Sequence, residues 1–83
     1  MANKQEVKKS EAKIMIYLNN VDREFKTATF MAHKLGVEYN FLLIRLRGMA
    51  MKGWVQRIKR MNKVFWNNTT IAPLQKAVKV LEK

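Results

Sequence analysis

The sequence predicts a mostly α-helical domain carrying one β-hairpin, in the order helix, helix, helix, hairpin, helix. Three observations predict it. Apolar residues recur at helical spacing over four segments. Two short strand-like runs flank a polar turn at residues 60–63. Gly36 and Gly53 stand just past the ends of two helical patterns, where helices commonly stop.

Residues 1–9, MANKQEVKK, are polar and read as a flexible tail. Ser10 is placed to cap the first helix, in which Ile14, Met15, Leu18 and Val21 recur at helical spacing. The run NNVDRE breaks that pattern, and Phe25 and Lys26 connect to the next element. Thr27 is a second cap, followed by the stripe Ala28, Met31, Ala32 and Leu35 and closed by Gly36. After a tight turn at VEYN, a third helix runs from about Tyr39 to Lys52 with Leu42, Leu46 and Met49 on one face.

In the first strand of the hairpin, Trp54, Gln56 and Ile58 point one way and Val55, Arg57 and Lys59 the other. Arg60, Met61, Asn62 and Lys63 form the turn, where Asn62 tolerates a left-handed backbone. Val64, Phe65 and Trp66 return, and either Phe65 or Trp66 fits the core. The last helix lies at about 71–82. Ile71, Leu74, Val78 and Leu81 mark its apolar edge, and Pro73 is tolerable only in its first turn.

Size and composition describe one small domain. The chain has 83 residues, 48% hydrophobic content and no cysteine, so neither a disulfide framework nor a thiolate metal site is available. Its longest apolar runs, IMIYL and FLLI, are too short to span a bilayer, and no segment of signal-peptide type follows the basic N-terminus. The expectation is a soluble cytoplasmic protein without a membrane partner.

Charge is more informative. Seventeen Lys and Arg oppose six Asp and Glu, a net charge of +11, and residues 25–65 hold most of the excess, with Glu38 as their only acid. A localised positive field attracts polyanions, and contacts to phosphates release counterions from nucleic acid. The alternative is a solvated basic surface that keeps a small protein soluble.

The two middle helices are joined so tightly, at LGVEYN, that they cross steeply, as in a helix-turn-helix. The second helix of such a pair fits the major groove of DNA. A basic hairpin directly after it would set Arg57, Lys59, Arg60 and Lys63 near phosphates.

The stretch from Thr27 to Trp66 resembles a winged helix-turn-helix domain of the small archaeal and bacterial transcriptional-regulator type. MAHKLGV is similar to the family's ending of the second helix, and EYNFLLIRLRGMAMKGWV keeps its spacing without a gap. Leu42, Leu46 and Met49 fall on core positions, Lys52-Gly53 matches the Lys-Gly that closes the recognition helix, and WVQRI matches the first wing strand. The resemblance implies a DNA-binding protein, either a dimeric transcriptional regulator or a chromosome-coating, nucleoid-associated protein of low sequence specificity. A third reading is a protein-interaction module that docks through its apolar third helix.

Tyr39, Asn40, Arg45 and Arg47 are the expected DNA contacts on the third helix, with Lys52 at its end and Arg57, Lys59, Arg60 and Lys63 on the wing. Asparagine pairs bidentately with adenine, and arginine with guanine or phosphate. The family's exposed recognition positions are usually polar, whereas here they include Leu43 and Ile44. Those two side chains suit thymine methyls, further core packing or a protein interface. The edge of Ile71, Leu74, Val78 and Leu81, with Ile16 and Tyr17 of the first helix, suits a two-fold homodimer or a last helix folded on its own core.

Other residues divide between plain and functional readings. His33 reads as an exposed helix residue, since no further ligands cluster with it in sequence. Trp54 and Trp66 suit the core better than stacking on bases. Met15, Met31 and Met49 suit core filling, while Met61 at the wing tip is an apolar group among basic ones. Catalysis and cofactor binding have little support. Ser10 is the sole serine, Glu38 has no acidic neighbour within the basic segment, and Gly36, Gly48 and Gly53 form no phosphate loop.

Overall fold

The structure is a computed structural model that describes residues 6–82. Four helices, α1 (Lys9–Asn20), α2 (Ala28–Leu35), α3 (Tyr39–Met51) and α4 (Leu74–Glu82), surround a hairpin of β1 (Val55–Arg60) and β2 (Lys63–Asn68) inserted before α4. The expected order of elements is the observed one.

The start of α1 differs from expectation. The backbone N–H of Lys8 donates to Glu11 Oε1 at 2.9 Å, so the carboxylate one turn ahead satisfies a donor that a Ser10 cap would have left outside the helix. Ser10 therefore lies within α1. The expected tail at residues 1–9 is corrected where it enters the described residues, because Val7 is buried in the core and Lys9 begins the helix. Residues 1–5 lie outside the described residues.

A single 3-10 turn at Arg23–Phe25 replaces the expected plain connection, and Tyr17 donates its hydroxyl to the Phe25 carbonyl at 2.6 Å. Thr27 caps α2 by accepting from the Phe30 N–H. Gly36 ends it with φ +67°, and the Val37 N–H reaches back to the Ala32 carbonyl at 3.1 Å. Glu38 caps α3 by accepting from the Phe41 N–H at 2.9 Å. With a stop at Gly36 and a start at Glu38, the α2–α3 connection is short and the two helices stay packed together.

In the hairpin, Arg60 opposes Lys63 and leaves Met61 and Asn62 as a two-residue turn, both at positive φ, 47° and 67°. Paired positive φ values are those of a type I′ turn, whose twist suits a hairpin. Midway along the ribbon the Trp66 N–H donates to the Lys26 carbonyl at 2.9 Å, and Thr27 bridges Phe65. The ribbon is thereby tied to the residues that open α2.

The core gathers Ile14, Met15 and Leu18 of α1, Met31 of α2, and Leu42, Leu46 and Met49 of α3. Trp54 and Trp66 complete it at 1% and 4% exposure, which assigns both tryptophans to packing rather than base stacking. Phe65 is the half-buried neighbour. Each large apolar side chain so buried contributes about 1.5–3 kcal/mol of transfer free energy.

Helix α4 begins at Leu74 rather than near residue 71, because Pro73 supplies the carbonyl that accepts the Ala77 N–H and so stands at the helix boundary. It packs along α1, with Ala77 fully buried. The expected apolar edge of the last helix is split. Leu74 and Leu81 are half-buried against the domain's own core, while Ile71 and Val78 are exposed. Among the described residues no helix is long and apolar enough to cross a membrane.

Candidate nucleic-acid interface

A groove of about 640 Å³ lies between α3, the start of α2 and the hairpin. Tyr39, Leu43 and Arg47 line it from α3, spaced at four residues and so stacked along one side of the helix. Arg57, Lys63, Val64 and Phe65 line it from the ribbon, and Thr29 and Phe30 from the first turn of α2. Glu24 is the only acid in the lining, against three cations.

The sequence-predicted contacts divide by helix face and strand. Tyr39, Arg47, Arg57 and Lys63 meet in the groove. Asn40 is exposed on the adjoining outer face of α3, next to Ile44, and Lys59 is exposed two residues beyond Arg57 on the same strand. Arg60 lies on the other side of the ribbon, in a hollow with Arg23, Lys26, Ile58 and Asn67. There Lys26 Nζ donates to Asn67 Oδ1 at 3.0 Å.

Two further expected contacts, Arg45 and Lys52, also lie outside the groove. Arg45 is on the opposite flank of α3, its guanidinium 4.7 Å from the Phe41 ring centroid. It borders an apolar hollow of about 260 Å³ shared with Lys9, Lys13 and Ile14 of α1. Its buried Nε has no hydrogen-bond partner among the described residues. Lys52 pairs with Glu11 Oε2 at 2.9 Å and covers the Trp54 ring at 4.4 Å. Burial by itself would raise the Glu11 pKa, but the Lys52 ammonium and the Lys8 N–H outweigh it and hold the carboxyl below its usual value. Lys52 therefore closes the scaffold.

Sequence reasoning did not single out Thr29, Phe30 or Glu24 as groove residues. The bridge between Thr27 and Phe65 brings them there. No local pattern announces such a pairing, although Thr27 as a helix cap marks where it forms. Val64 also lines the groove, from the return strand. His33 is exposed on α2, and among the described residues no three His, Cys, Asp or Glu side chains cluster as a metal site.

Two solved structures of ZitR from Lactococcus lactis, each a single-substitution variant, superpose on the chain with TM-scores of 0.76 and 0.75. The fold is a winged helix. Sequence identity to these structures is 16% and 15%, and each alignment covers 99% of this chain. The chain spans 56% and 57% of the length of the two ZitR chains. No protein-family model matches the chain, and no curated protein matches it. In winged-helix terms the β1–β2 ribbon is the wing and α3 is the second helix of the helix-turn-helix. The groove lies between the wing and that helix.

Proposed function

We propose that the chain is a double-stranded DNA-binding transcriptional regulator, with α3 in the major groove and the wing on phosphates. The observation that carries this reading is the groove itself, where Arg47 of α3 faces Arg57 and Lys63 of the wing. The net charge of +11 supports it. Tyr39, Asn40 and Arg47 are the base-side candidates, and Arg57, Lys59 and Lys63 the phosphate-side ones. Arg60 reaches phosphate only from the outer side of the wing, and Arg45 and Lys52 have structural roles. The two ZitR structures support the fold on which this reading stands.

The working form is a homodimer in the cytoplasm, associated with DNA and without catalytic activity. Ile71 and Val78, at 65% and 43% exposure, form the outer edge beside α4 that a second copy would cover. Two copies would set two α3 helices against successive turns of one duplex face.

A second reading, an architectural protein that coats duplex DNA, is favoured by one observation. The outer face of α3 exposes Ile44 and Met51, at 62% and 89%, where polar base-reading groups are usual. Measuring affinity for selected and random duplexes across a salt series separates the two. A regulator keeps a large specific-to-random ratio as salt rises, and a coating protein shows steep salt dependence with a small ratio. Failure to bind either duplex at low salt would sink both.

A further inference from the structure

The outer face of α3 places an apolar side chain between two polar ones. Ile44 is 62% exposed. Asn40 lies four residues before it and Arg47 three after, so all three are neighbours on one helix surface. Leu43 fills the adjacent position at the groove floor. No packing within the domain accounts for the exposure of Ile44, because the core stripe of α3 is complete with Leu42, Leu46 and Met49.

An isoleucine entering the major groove has one chemical match among the base edges, the C5-methyl of thymine. The side chain beside it, Asn40, has the donor–acceptor pair that fits adenine N6 and N7. A·T steps offer both groups, whereas an unmethylated G·C pair has no methyl in the groove. We propose that this face of α3 selects A·T steps, with Ile44 packed on a thymine methyl and Asn40 paired to a neighbouring adenine edge. The proposal rests on the duplex-binding reading and adds the base class that is read.

Exchange of thymine for deoxyuridine tests it, because the exchange deletes the methyl and leaves phosphate charge and base pairing unchanged. The full chain is titrated by fluorescence anisotropy with an A·T-rich duplex, its deoxyuridine counterpart, a G·C duplex and the same G·C duplex carrying 5-methylcytosine. The uracil duplex should bind at least about four-fold more weakly than the thymine duplex, the factor given by burying one methyl group. The 5-methylcytosine duplex should bind more tightly than unmethylated G·C. Ile44→Ala should abolish both differences, and since Ile44 is exposed the core packing is untouched. Asn40→Ala should reduce the A·T preference while keeping the methyl difference.

Equal, salt-dependent binding of thymine and uracil duplexes by the native chain would overturn the proposal and leave duplex binding intact. A methyl difference that persists in Ile44→Ala would also overturn it. Absence of binding to all four duplexes at low salt would remove the duplex reading itself.

Discussion

Lys52 Nζ lies 2.9 Å from Glu11 Oε2 and joins residues 41 apart in sequence, the end of α3 and the first turn of α1. Glu11 is 5% exposed, so Lys52→Met leaves a buried carboxylate without its charged partner. Lys52 is itself partly in water, which places the expected loss at about 1–2 kcal/mol in urea unfolding. The variant should bind duplex DNA with nearly native affinity, unlike Arg57→Ala.

The same pair sets a pH dependence. The folded-state pKa of Glu11 is depressed from 4.5, so its stabilisation is complete above that value and is lost as pH falls below it through the folded value. Unfolding of the native chain and Glu11→Gln followed from pH 7 down to pH 2 should show their stability difference shrinking across that acid range. A difference that is constant with pH would count against ionic pairing at this site.

The wing makes a separable electrostatic prediction. Arg57→Ala with Lys63→Ala should weaken binding to every duplex sequence and flatten the dependence of log K on log salt by about 0.9 for each phosphate that the two side chains neutralise. Isothermal titration or anisotropy at several salt concentrations measures the slope. An unchanged slope would mean that the wing does not engage phosphate.

Four glycine and turn positions test the backbone. Gly48 lies within α3 with open space where a Cβ would project, so Gly48→Ala should stabilise by about 0.5–1 kcal/mol. Gly53 has φ +83°, and an added Cβ would stand 3.1 Å from Ile71 Cδ1, so Gly53→Ala should destabilise by about 1–2 kcal/mol. At the wing tip, Met61→Asn with Asn62→Gly gives the residue pair that type I′ turns prefer and should add about 0.5–1 kcal/mol. Thermal unfolding ranks these variants against the native chain.

The exposed edge beside α4 predicts the assembly. Ile71→Glu with Val78→Glu places charge on a surface that a second copy would cover, while Ala77 continues to hold α4 to α1. Sedimentation should show a dimer becoming a folded monomer with unchanged helical circular dichroism. A native chain that is monomeric at high concentration would exclude the homodimer.

Much of this architecture was legible in the sequence because its signals are local. Thr27 and Gly36 bracket α2 as a cap and a left-handed stop, and both residues hold those positions. Leu42, Leu46 and Met49 mark the buried side of α3 by spacing alone. Other features depend on partners distant in the chain. Lysine has no side-chain acceptor, so nothing at Lys8 announces a cap whose carboxylate is supplied by Glu11. Phe65 and Trp66 are both apolar, and the register Arg57 to Trp66 with burial of Trp66 assigns the core position.

For the candidate site, charge pointed to a region of the chain and helix geometry divides the basic residues within it. Arg45 and Arg47 differ by two positions, which on an α-helix carries them to different flanks. Arg47 accordingly lines the groove while Arg45 meets Phe41 and α1. Lys52 was separated from the other basic residues only by its long-range bond to Glu11.

The bond from the Trp66 N–H to the Lys26 carbonyl, with the bridge of Thr27 to Phe65, has a mechanical consequence. A β-ribbon held halfway along one strand has only its last rungs and turn free of the domain. Force applied at Met61 and Asn62 is delivered to the first turn of α2 instead of being absorbed by a swinging hairpin. Under the proposed duplex-binding function, a wing held in this way would leave the cost of fit to the bending of the double helix.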